Sequence, residues 1–344
     1  MRALVFRGPH DLSLQELPDP QAGPGEVLLR VSATGICGSD LHGYTGENGR
    51  RHPGQIMGHE TVGRVAAVGP DVPAALGLRA GQTVTVNPVI GCGDCAACAA
   101  GDEQLCGRRR VIGVDPALRS AFAELMTVPA GNVVVLPDDL PEEYGALVEP
   151  LAVGYHAAVR GGVTAGMSVL VIGGGPIGQA CALAARRLGA TRIAVSEPTA
   201  ARRELLARLG LATVDPAAGA VPETVRGLLG GPAGVVLDAV GSAASLGDAL
   251  TASGNGARIV LVGMNSPRVD LAAYEISTHE RSIAGSFCYP SAEFRATAEW
   301  VATGPPGLAH LVEDRVPLAG GPGAFARLAS GELDASKVLV LCQL

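Results

Sequence analysis

Aromatic side chains make up only 3% of the 344 residues, so the core must be built mainly from Val, Leu, Ile and Ala. Lysine is nearly absent too: Lys337 is the only one and every other basic residue is arginine, a bias that carries no functional reading by itself. No apolar run reaches the length of a membrane span, because glycine or charge interrupts each one, and the opening Met1-Arg2-Ala3-Leu4-Val5-Phe6-Arg7-Gly8 is too short for a secretory h-region. A cytoplasmic protein without a membrane partner is expected. Positive charge is in deficit, with a net charge of −7, which argues against nucleic acid or anionic lipid as a partner. Eight cysteines in a reducing compartment are not expected to form disulfides.

The length suffices for two domains, each with its own core. Up to about residue 90 the chain reads as β-rich, with short alternating runs such as Val27-Leu28-Leu29-Arg30-Val31 and Thr83-Val84-Thr85-Val86 between Gly/Pro turns. Many short strands suggest a partly closed barrel. Cys92, Cys95, Cys98 and Cys106 then follow in a C-x₂-C-x₂-C-x₇-C cluster. Four thiolates so close in sequence can close a tetrahedral shell around Zn²⁺ with no vacancy, the pattern of a structural site. The adjacent Arg108-Arg109-Arg110 reads as a solvated face, since Asp102 and Glu103 lie nearby. Residues 142–160 read as helical and contain Glu149 between apolar neighbours. That carboxylate is either a surface group ahead of Pro150 or a buried one in need of a partner such as a metal.

From Ser168 the pattern changes to an alternation of strands and helices. The apolar strand Val169-Leu170-Val171-Ile172 runs into Gly173-Gly174-Gly175-Pro176-Ile177-Gly178 and a helix, which is G-x-G-x-x-G in a strand-turn-helix setting. Such a loop brings backbone N–H groups and a helix N-terminus to a pyrophosphate. A second strand ends at Glu197, 19 residues beyond Gly178, where a ribose-binding carboxylate belongs; an acid near the N-terminus of the next helix is the plainer role, and the two are compatible. Further strands are expected at Val235–Asp238, 258–263 and 282–287, with helices between, so a doubly wound parallel sheet is predicted.

The densest chemistry lies earlier. Cys37, Ser39, Asp40 and His42 fall within six residues, and Gly58-His59-Glu60 adds a second imidazole and carboxylate. One thiolate, one imidazole and nearby glutamates can bind Zn²⁺ with a position left open for substrate. Alone, Cys37 reads rather as a buried cysteine at a strand end, and it is the rest of the chain that turns the reading toward a metal.

Taken together, these motifs resemble the zinc-containing medium-chain dehydrogenase/reductase family, in its sorbitol, butanediol and threonine dehydrogenase branch. The resemblance spans essentially the whole chain. It implies a GroES-like catalytic domain over 1–150 with a zinc lobe at 91–107, a Rossmann domain over 151–290 and a return to the first domain over 291–344. It further implies that Cys37 and His59 hold a catalytic zinc, with Glu60 and Glu149 completing or exchanging in its shell. Ser39 and His42 would form a proton relay, and Asp40 would orient the histidine. NAD is expected in preference to NADP at Gly173, Gly175, Pro176, Ile177, Gly178 and Glu197, with Arg202, Val262, Ser286 and Phe287 also at the cofactor. The substrate expected is a small secondary alcohol, diol, polyol or amino alcohol, or the matching ketone. Gly43 after His42 and Cys288 after Phe287 depart from the sorbitol dehydrogenase pattern. A homodimer or homotetramer is implied. The competing reading is a zinc-stabilised, NAD-binding redox sensor without catalysis, which needs no Ser39/His42 proton path.

Overall fold

In the computed structural model, which describes residues 1–343 apart from 48 and 220, the chain divides into two compact units, Met1–Glu149 with Pro290–Leu344, and Pro150–Tyr289.

The first unit is built on a seven-stranded sheet in which Glu26–Gly35 is central. This ten-residue strand pairs antiparallel with Glu60–Val68, with Leu125–Pro129 and with Val338–Leu341. It reaches three partners because Leu125–Pro129 pairs with its first half and Val338–Leu341 with its last three residues along one edge, while on the other edge its register with Glu60–Val68 breaks at Leu28/Leu29 and Val31/Ala33, and such bulges bend and twist a strand so that a barrel wall can form. The core is aliphatic, as the composition requires, with Val27, Leu29, Val31, Val84, Met126 and Val128 fully or almost fully buried. The few aromatics are concentrated here: Phe122 meets Phe325 edge to face at 5.4 Å between ring centroids, and Tyr44 lies 5.5 Å from Phe325.

The second unit carries a six-stranded parallel sheet. From one edge its strands run Ala212–Val214, Arg192–Ser196, Ser168–Ile172, Ala233–Asp238, Ser253–Leu261 and Ser282–Gly285. The order reverses about Ser168–Ile172, and such a switch point opens a crevice at the carboxyl ends of the strands. Strand Ala212–Val214 was not expected from the sequence: three residues flanked by loop residues give too short a pattern to read. Strand Ser253–Leu261 begins five residues earlier than anticipated because Gly254 and Gly256 interrupt its apolar pattern. Ser282–Gly285 stops short of Ser286 and Phe287, which lie beyond the strand end. Residues 142–160 form a 3₁₀ turn over Glu142–Leu147 and then the α-helix Val148–Arg160. Among the described residues, no helix is long and apolar enough to cross a membrane.

Candidate functional site

Strand pairing places the chemistry of the first unit. Gly35 stands opposite Glu60 and opposite Leu339 on the other side, so Cys37, His59 and Lys337 all lie just past the ends of three neighbouring strands. Ile36 N donates to Val338 O at 2.9 Å, which fixes this end of the sheet. Gly35 is required there: a Cβ on it would fall 2.0 Å from Glu60 Oε2. Gly58 adopts φ +97°, a left-handed turn into His59 that a side chain would strain.

Ligand atoms of Cys37, His59 and Glu60 lie within 4.8 Å of one another. His59 and Glu60 are buried, at 7% and 1% exposure. Glu149 is also buried, and its charge acts on His59. His59 Nδ1 has no hydrogen-bond partner; Asp40 Oδ1 stands 3.7 Å away, an ion-pair distance beyond a hydrogen bond. Burial opposes charge on His59, yet Asp40, Cys37 and its hydrogen bond, and Glu149 hold the pKa well above the ordinary value. The pocket therefore favours positive charge. Cys37, Asp40, Glu60 and Glu149 gather a thiol and three carboxyl groups beside Arg51 and Lys337, a donor set with room for a dication. An orphaned imidazole nitrogen, a thiol and a carboxylate in this arrangement suit Zn²⁺.

Two of these cations escaped sequence reading. Arg51 Nη2 donates to Asp40 Oδ1 at 3.3 Å and to Ser39 O at 3.4 Å from an almost fully buried side chain. Lys337 Nζ donates to Glu60 Oε1 at 2.6 Å, Glu60 Oε2 at 2.5 Å and Ile36 O at 3.3 Å. The only signal for Lys337 was its singularity, a lone lysine ahead of a buried strand in a chain that otherwise uses arginine.

Ser39 and His42 share the short helix Gly38–Tyr44, three residues apart and hence on one face. Cys37 caps this helix, and Asp40 Oδ2 accepts from Cys37 N at 3.3 Å. The His42 ring is half exposed, with Nδ1 2.6 Å from Glu47 Oε2. Glu47 was also unread, since a glutamate in a polar loop carries no pattern.

At the cysteine cluster, Cys92, Cys95, Cys98 and Cys106 bring their sulfurs within 4.8 Å of one another. The Cys92 and Cys98 sulfurs are 3.9 Å apart, close to the edge of roughly 3.8 Å that tetrahedral Zn–S bonds of about 2.3 Å would set. No disulfide forms. Arg108, expected merely as a solvated residue, is exposed but pairs with Asp94 and donates to Cys92 Sγ at 3.2 Å, offsetting thiolate charge.

In the second unit, Gly173 adopts φ +92° and nothing lies within 4 Å of where a Gly175 Cβ would be, leaving that side of the loop open to a ligand. A Cβ on Gly178 would fall 1.7 Å from Gly173 O, so helix Pro176–Arg187 can start this close to the strand only with glycine there. Pro176 occupies its first turn and Ile177 follows. Glu197, 3% exposed, accepts from Gly174 N and from Thr199 N, both at 2.7 Å, so it braces the loop and the start of the next helix together. Two lone pairs remain for ribose hydroxyls. This open, glycine-walled cradle suits a dinucleotide. Arg203 is committed to Asp215 at 2.9 Å and to Glu197 O; Arg202 is partly buried beside it. Val262 N donates to Asp238 O, and Ser286 N to Leu261 O. Ser286 Oγ is buried without a partner, and Phe287 is 41% exposed.

Comparison with known proteins bears on both units. Residues 23–138 match the alcohol dehydrogenase GroES-like domain and residues 176–303 the zinc-binding dehydrogenase domain. The 2-dehydro-3-deoxy-L-galactonate 5-dehydrogenase of Pseudoalteromonas atlantica is 35% identical over 94% of this chain and 93% of its own. Sorbitol dehydrogenase of Bacillus subtilis is 32% identical over 99% and 97%. A crystal structure from E. coli CFT073, described as a short chain alcohol dehydrogenase (rspB) complexed with NADH, superposes with a TM-score of 0.90 at 28% identity over 99% of each chain. This chain belongs to the zinc-containing medium-chain dehydrogenase/reductase family and is a zinc-dependent, nicotinamide-linked oxidoreductase of CH–OH groups.

Proposed function

We propose that the chain oxidises a small secondary alcohol, diol, polyol or amino alcohol, or reduces the matching ketone, at Cys37 and His59, with NAD preferred over NADP. The observation that carries this reading is the convergence of Cys37, His59 and Glu60 within 4.8 Å beside a helix whose His42 opens to solvent. Bound Zn²⁺ supplies Lewis acidity that lowers the pKa of an alcohol, and bound NAD accepts hydride. Cys37 and His59 anchor the metal, and Glu60 or Glu149 adds a carboxylate. Ser39 takes the alcohol proton and His42 passes it to solvent, with Glu47 steadying the ring. Glu197 holds the glycine loop and receives the ribose hydroxyls; its charge disfavours a 2′-phosphate, and Arg203, already paired, offers that phosphate little.

The substrates for which the relatives are named, a sugar acid and sorbitol, widen the panel to be tried. Incubating zinc-loaded protein with NAD⁺ and polyols, diols, threonine, aminocyclitols and sugar acids, while following NADH absorbance, tests the reading; turnover of none of these, in either direction, overturns it. Free thiols throughout support a cytoplasmic setting. The homodimer or homotetramer implied by the family resemblance is decided by light scattering on the eluted protein.

A further inference from the structure

Arg51 reaches inward from a loop that is tied down on its far side. Gly54 N donates to Phe6 O and Phe6 N to Gln55 O, both at 2.8 Å, and Gln55 Nε2 donates to Val114 O at 3.0 Å. From that base the side chain, 1% exposed, meets helix Gly38–Tyr44 twice. At the start of the helix Nη2 donates to Ser39 O at 3.4 Å and to Asp40 Oδ1 at 3.3 Å. Near its end the arginine stem lies over Gly43, where a Cβ would fall 2.5 Å from Arg51 Cγ and 3.0 Å from Nε. Gly43 has no positive φ, so its backbone would accept alanine, and alanine would favour the helix. The space taken by Arg51 is what calls for glycine. A guanidinium is also a costly way to fill that space: Nε is buried without a partner, which an apolar side chain of similar length would avoid. Asp40, fully buried, answers its charge and is itself held at the other oxygen by Cys37 N. One arginine thus joins a fixed loop to the helix that carries both Ser39 and His42.

We propose that Arg51 is a positioning residue for proton transfer: by gripping Ser39 O and Asp40 Oδ1, and by filling the place of a side chain at Gly43, it fixes where the Ser39 hydroxyl and the His42 ring stand relative to Cys37. It acts through the helix, holding the relay in line and carrying no proton itself. This rests on the reading of Ser39 and His42 as the relay.

The test uses the zinc-loaded protein, NAD⁺ and whichever alcohol of the panel is oxidised fastest, with zinc release to a chromogenic chelator as a second readout. Gly43→Ala, which keeps every charge, and Arg51→Met should each lower kcat about ten-fold near neutral pH, with the KM for NAD little changed. The deficit should narrow at higher pH, as hydroxide takes over from a misaligned relay, and the labile zinc should leave no faster than from the parent. Arg51→Lys, which keeps the charge and a donor, should recover part of the rate lost in Arg51→Met. Adding Gly43→Ala to Arg51→Ala should lower neither kcat nor the denaturation midpoint further, since the stem that the new methyl meets is gone. An undiminished kcat in Gly43→Ala overturns the proposal even where Arg51→Met does not fold. So does zinc released faster in step with lost kcat, which would make Arg51 a support of the metal site, and so do additive losses in the double variant. A slowed His42→Gln beside an undiminished Gly43→Ala overturns this proposal alone; a full rate in His42→Gln across the pH range overturns the relay and the proposal with it.

Discussion

Glu197 accepts the backbone N–H of Gly174 at 2.7 Å, so the acid proposed to bind the ribose is also the brace of the glycine loop. This coupling changes what a cofactor-switching mutation does. Glu197→Ser removes charge that repels a 2′-phosphate, but it also takes the acceptor from Thr199 N and strands the buried donor Gly174 N, the latter at about 1–3 kcal/mol. The preference should move toward NADP, while the KM for NAD rises about ten-fold or more and neither cofactor recovers the efficiency of NAD with the unchanged chain. Steady-state kinetics with both cofactors check this; equal efficiency with NAD and NADP before mutation would show that Glu197 is not the selector.

His42→Gln should lower alcohol oxidation about ten- to a hundred-fold near neutral pH, the usual range for loss of a general base. Because the His42 ring is half exposed, hydroxide should replace part of its function at higher pH, with NAD affinity little changed. Ser39→Ala should cost more and recover less, since it removes the hydroxyl assigned to the reacting oxygen. A full rate for His42→Gln across the pH range would show that the proton leaves by another route.

The raised pKa of His59 has a consequence for the metal-free protein. A folded pKa above the unfolded value, ordinarily about 6.5, stabilises the fold fully below that value, and this stabilisation is lost as pH rises through the folded pKa. The Tm advantage of metal-stripped protein over metal-stripped His59→Gln should therefore be largest in acid and shrink toward alkaline pH. An advantage that grows with pH contradicts the assignment.

Gly35→Ala should be destabilising by about 1–3 kcal/mol, the usual cost of forcing a group into a filled site, because its Cβ would land on Glu60 Oε2. Chemical denaturation measures the cost. The same variant should disturb the Glu60–Lys337 contact and speed release of the labile zinc, and a variant as stable as the parent would show that Glu60 sits elsewhere.

The parts legible in sequence were those encoded by local pattern. Gly173 to Gly178 announces itself because a tight turn, a close approach and a helix start each need glycine at a fixed spacing, and the four cysteines because a closed tetrahedral shell needs four soft ligands. The strand read at Val235–Asp238 from its apolar run ends at Asp238 in the structure as well. What escaped was what strand pairing assembles. Lys337 lies 277 positions from Glu60, and no spacing rule links them; only the register that sets Gly35 against both Glu60 and Leu339 does. Arg51 was missed for the same reason, being an unpatterned loop residue that folds beneath Asp40. Glu197 was read for the ligand it would meet, whereas its bonds to Gly174 and Thr199 depend on a parallel pairing that sequence does not display.

A zinc ion held at Cys37 and His59, separate from the zinc at the four cysteines, is proposed to carry the oxidation. Metal content and NADH formation measured side by side on the parent and on Cys37→Ala test it most directly. Two zinc ions per chain are expected in the parent and one in Cys37→Ala, with alcohol-dependent NADH formation reduced to background in the variant while its fold and the four-cysteine zinc persist. Full activity in Cys37→Ala, or an active parent with one zinc or none, would contradict it.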